Sequence, residues 1–147
     1  MATSLGFEVT VPASRVAAFL HALNAGLTAD RHLSPEDLRR LRLGEPAGGI
    51  GLTLSLPADP ELAAFHLEHP DLESADPARV AVGYLWVSAR PAQEDGACDL
   101  AFWSSSREVV EVLRFSPSVR AFFRSLAGFA DPAEVRVVDE WLSVSRL

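Results

Sequence analysis

Three kinds of side chain in this 147-residue chain could do chemistry: imidazoles, arginines, and indoles beside carboxylates. His66 and His69 stand three apart with Glu68 between them. On a helix such imidazoles share a face and can hold a divalent metal. The pattern supplies no third ligand. His21 and His32 lie in other segments, and His-Leu-Glu-His differs from the His-Glu-x-x-His of zinc hydrolases. Solvated histidines ahead of a helix-ending Pro70 are the simpler reading, and no metal or cofactor is expected.

Arg31, His32, Arg39, Arg40 and Arg42 form a local basic cluster. Guanidinium forks suit phosphate or carboxylate, so Arg39 and Arg40 are candidate binding residues. Against this stands a solvated helix face balanced by Glu36 and Asp37. Nucleophilic chemistry finds less support. Ser104-Ser105-Ser106 has no Gly-x-Ser-x-Gly elbow and reads as helix capping. Gly48-Gly49-Ile50-Gly51 leads into a strand, whereas a phosphate-cradling loop leads into a helix. Cys98 is the lone cysteine, so no intrachain disulfide can form, and it reads as a small core residue. Lysine is absent, which removes Schiff-base and P-loop lysine chemistry.

The indoles are the stronger signal. Trp86, Trp103 and Trp141, with Tyr84 and Phe102, concentrate in strand-like stretches of the second half. Trp103 opposes Phe102 in parity, so one aromatic set belongs under the helices and the other on the opposite sheet face. An indole-bearing face without helices is an apolar patch of the kind that marks interaction surfaces. Asp139 and Glu140, beside Trp141, would give it an anionic rim.

The elements that must position these groups follow from local pattern. Phe7, Val9 and Val11 alternate with Glu8 and Thr10, and Ile50, Leu52, Leu54 and Leu56 alternate with Gly51, Thr53 and Ser55. Both are half-buried strands. Ser14, Ser34-Pro35, Asp59-Pro60 and Ser116-Pro117 read as helix starts, and Ser105 with Glu108 has capping-box spacing. Val80–Ala89 is apolar on both parities, as in a central strand, and Cys98, Leu100 and Phe102 form its antiparallel partner. Gln93–Gly96 reads as a turn, and Glu134–Ser145 as one bulged strand.

The order β-α-α-β-(α)-β-β-α-α-β predicts a single α+β domain. Its single, mostly antiparallel sheet of about five strands has helices on one face, and its element order is ferredoxin-like with additions. A Ser-Arg then Ser-Pro echo between the halves is weak and reads as chance. Net charge −7 disfavours nucleic acid and anionic membranes. Residues 45–147 carry 16 acids against eight arginines. Met1–Gly6 lacks the basic and apolar regions of a secretory leader, and no apolar run could span a membrane, so a cytoplasmic protein is expected. The reading is a non-enzymatic binding protein that engages a protein partner or itself. It could be an acidic inhibitor, of immunity or antitoxin type, of a basic protein. The alternative is a small-molecule binder or enzyme with an Arg/His pocket between sheet and helices.

Overall fold

A computed structural model describes residues 4–72, 76–90, 97–139 and 144–147. The chain runs β1 (Leu5–Val11), α1 (Val16–Asn24), α2 (Pro35–Arg42), β2 (Ile50–Pro57), α3 (Pro60–Glu68), β3 (Arg79–Ala89) and β4 (Cys98–Ser104). It continues through α4 (Arg107–Phe115), α5 (Pro117–Ser125), β5 (Arg136–Asp139) and β6 (Val144–Arg146). The fold is α+β, with one antiparallel sheet in the order β2-β3-β4-β1-β5-β6.

Alternation decides which side of each strand is buried. Leu5, Phe7, Val9 and Val11 are buried on β1, as are Leu100 and Phe102 on β4 and Leu52, Leu54 and Leu56 on β2. These meet the apolar faces of the helices in one core, to which α1 gives Phe19 and Leu23, α3 Leu62 and Phe65, and α4 Val109 and Leu113. Phe123 of α5 closes it, its ring 4.5 Å from Phe7 and 5.4 Å from Phe102, which face each other across β1 and β4. Each of these fully buried rings contributes about 1.5–3 kcal/mol by leaving water.

Several elements differ from the sequence reading. The segment Glu134–Ser145 is not one bulged strand: β5 and β6 are separate strands paired antiparallel, with Val137 opposite Ser145, so the sheet has six strands. The Ser105–Glu108 capping box is not formed. Ser106 holds the N-cap position of α4 without a side-chain cap bond, and its hydroxyl donates instead to Glu108 at 3.2 Å. The Glu108 carboxyl is held below its usual range, first by its own backbone N–H and then by Ser106, so an acid serves the positive helix end where a serine cap was expected. Ser14 sits in a 3₁₀ turn, Ala13–Arg15, rather than capping α1. The turn expected at Gln93–Gly96 lies outside the described residues.

Three helix starts are as the sequence implies, and two of them tie distant segments together. Ser34 and Asp37 form a reciprocal capping box on α2. Asp59 caps α3 by accepting from Leu62 N–H at 2.9 Å, and its second oxygen accepts from Ser116 Oγ at 2.5 Å and Ser118 N–H at 3.0 Å. Ser116 in turn caps α5 by accepting from Val119 N–H. Burial pushes the Asp59 carboxyl up, but the bonds from Ser116, Leu62 and Ser118 together outweigh it, and the net shift is downward. A carboxyl whose folded pKa is depressed stabilises the fold above its unfolded pKa and loses that contribution as pH falls through the folded value. Asp59→Ala is therefore expected to cost about 2 kcal/mol in urea unfolding at pH 7, more than an ordinary cap because three donors lose their acceptor. The gap to wild type should narrow below about pH 4, where the carboxyl of the unfolded chain takes up a proton before the folded one does.

Candidate functional site

The sheet face opposite the helices carries the candidate site, and strand register dictates its composition. Directly paired residues place Gly51, Trp86, Trp103, Gly6 and Val138 in one row across β2, β3, β4, β1 and β5. Trp86 is 39% exposed and Trp103 partly exposed. The glycines make room for the indoles. A Cβ on Gly51 would lie 3.3 Å from the Trp86 ring, and one on Gly6 would lie 3.1 Å from Trp103 Cβ and 3.2 Å from the Phe102 carbonyl oxygen.

Trp86 reaches this face through a β-bulge. On β2 the buried residues keep strict alternation, yet their partners on β3 are Val80, Val82 and then Leu85, so three steps on β3 match two on β2. The extra residue falls at Gly83–Tyr84, and Tyr84 takes φ +63°, the left-handed region that non-glycine residues rarely occupy. Simple alternation would set Val80, Val82 and Trp86 on one side of β3; the bulge breaks it, so the valines face the helices and Trp86 faces away.

The rows beyond the indoles are polar. Ser88, Ala101, Glu8 and Arg136 lie in register, followed by Asp99 opposite Thr10. Thr10 Oγ1 donates to Asp99 Oδ1 at 2.6 Å and accepts from Arg136 Nη2 at 3.3 Å. Glu8 lies between two arginines, 3.9 Å from Arg136 Nε and 3.5 Å from Arg90 Nη2. Glu8, Ser88, Arg90, Asp99, Ala101 and Arg136 line a cavity of about 230 Å³. Two carboxylates answer two guanidiniums, so this part of the face is locally balanced in charge. The Thr10 hydroxyl is committed on both sides, which holds the members of the network in place.

The other sequence candidates lie elsewhere. Asp139 pairs with buried Leu5, and so it shares the helix-facing side with Val137 and is not beside Trp103. Glu140 and Trp141 lie outside the described residues. Arg39 is exposed on α2 and engaged by Glu36 through two bonds, of 2.6 and 2.9 Å, while Arg40 reaches Glu45 at 3.9 Å. His69 stacks on Phe65 with ring centres 4.2 Å apart. Among the described residues, no three His, Cys, Asp or Glu side chains converge as metal ligands. Burial pushes the Cys98 thiol up, with the Arg42 charge opposing, which keeps it protonated and a poor nucleophile.

Glu8, Thr10, Asp99 and Arg136 were not singled out from sequence. The only sign of them there was their place on the polar parity of β1, β4 and β5, which becomes informative once register is known.

No protein-family model matches the chain, and no curated protein or solved structure is significantly similar to it. If the Thr10–Asp99 bond is a working part of this face, a double-mutant cycle of Thr10→Val and Asp99→Ala should give a coupling of about 1 kcal/mol in urea unfolding. Additive losses would mean that the pair is not coupled.

Proposed function

We propose that this protein is a non-enzymatic binder of a basic protein, which it engages through the indole-bearing face of its sheet. It would work by occluding the partner's own functional surface, as immunity- and antitoxin-type inhibitors do. The observation that carries the reading is the Trp86–Trp103 pair, set side by side away from the core and flanked by glycines that give the rings room. Tryptophans of this kind are the residues most enriched at binding hot spots, because they bury much area for little lost rotamer freedom. Charge supplies the partner's sign: at net −7, the molecule attracts basic proteins at long range and repels acidic ones. The neighbouring Glu8–Arg136–Thr10–Asp99 network gives a polar rim that fixes orientation.

The test is affinity capture from the native host with wild type and with a Trp86→Ser/Trp103→Ser double variant, each checked for folding by circular dichroism. A basic partner is expected that binds wild type more weakly as salt rises. It should lose at least about 2 kcal/mol of affinity, roughly 30-fold, to the double variant. A partner held equally by both proteins would overturn the reading. So would a wild-type dimer in sedimentation that the double variant abolishes, which would assign the face to self-association.

A further inference from the structure

A second concave site lies on the helix side of the sheet, and it does not depend on the reading above. The end of α1, the β2 and β3 termini and one face of α5 enclose a groove of about 420 Å³, within the range of small-molecule sites. Ala22, Ala25, Leu56, Pro57, Ala121 and Phe122 form its walls. Gly26 is needed there, since a Cβ on it would fall 2.2 Å from the Phe122 ring. The hydroxyls on the rim are already used: Ser125 Oγ donates to the Phe122 carbonyl at 2.6 Å, and Ser118 is turned to Asp59.

Arg79 is the charged group in this apolar setting. Its Nε donates to the Ser55 carbonyl oxygen at 3.1 Å, and its Nη2 donates to the same oxygen. That grip fixes the guanidinium but leaves most of its five donors unused. None of the ion pairs among the described residues involves Arg79. A held, partly covered guanidinium that meets no carboxylate among the described residues, beside an apolar trough, suits an anionic head on an apolar tail. One arginine, with no second cation among the described lining residues, suits a single charge better than a doubly charged phosphate monoester.

We infer that this groove binds a medium-chain carboxylate, with its head on Arg79 and its tail along Ala22, Ala121 and Phe122. The protein's net negative charge opposes the approach of such a ligand, so affinity must come from contact in the groove and not from steering.

Calorimetric titration with decanoate below its micelle concentration tests this, with decanol as the uncharged control. Ala121 is exposed, so Ala121→Trp fills the groove with little risk to folding, and Arg79→Gln keeps a donor for Ser55. Decanoate should bind wild type, bind Arg79→Gln at least tenfold more weakly, and fail to bind Ala121→Trp. Three results would overturn the inference: no heat with wild type, equal binding of decanol, or decanoate binding that survives Ala121→Trp. Should Arg79→Gln not fold, the decanol comparison and Ala121→Trp still decide the matter.

Discussion

One extra residue in β3 governs what this molecule shows to its surroundings. A strand that keeps the register of Val80 and Val82 would carry Trp86 into the helix layer and push Leu85 and Val87 into water. The bulge at Gly83–Tyr84 reverses this. It keeps Leu85 and Val87 fully buried against the helices and turns Trp86 to the open side, opposite Trp103. The device costs energy, because Tyr84 occupies positive φ where glycine would sit without strain. Only surrounding structure can hold such a residue, and here β2 fixes it on both sides, with Leu52 against Leu85 and Leu54 against Val82. The indole row and the core behind it are thus two results of the same register shift.

Much of the framework was legible because it is local. Alternation in Phe7–Val11 and Ile50–Leu56, and the Ser-Pro and Asp-Pro helix starts, each follow from a few neighbouring residues. What was not legible is non-local or degenerate. Val80–Ala89 is apolar on both parities, so alternation there could not reveal an extra residue. The Glu134–Ser145 run holds two strands whose β-prone residues read as continuous, and only their pairing with β1 and each other separates them. Arg136 meets Glu8 and Thr10 only after the sheet has formed. Asp59 meets Ser116 by the same kind of closure, so a cap that looks purely local also joins α3 to the α4–α5 junction. Asp139 shows the limit of adjacency in sequence: one step along a strand places it on the opposite side from Val138.

The edges of the sheet bear on how a partner could engage it. An open edge strand offers unpaired N–H and C=O groups, and strand addition is a common binding mode. In β2 that route is already partly occupied. Ser55 N–H donates to the Gly26 carbonyl at 2.8 Å, and Thr28 N–H donates to the Thr53 carbonyl at 3.0 Å, with Leu27 bridged to Leu54. Pro57, at the end of the same strand, has no N–H to offer. At the far edge, β6 is only three residues long. A partner taking either edge would find few free backbone groups, whereas the indole face has no such block among the described elements.

Face docking also fits the division of labour within that surface. Interfaces place an apolar, aromatic centre inside a polar rim, with the centre supplying affinity and the rim orientation. In the proposed interface the indole row would be the centre, and the Arg90–Glu8–Arg136–Thr10–Asp99 chain lies to one side of it. Its charges already satisfy one another, so a partner that covers them need not repair an unpaired ion. Removing paired charges from water still carries a cost that their mutual attraction only partly offsets. Such a rim therefore discriminates by geometry: it tolerates a partner that leaves the pairs intact and rejects one that must break them. On the proposed reading, affinity would be left to the indoles, and so to the register shift that presents Trp86.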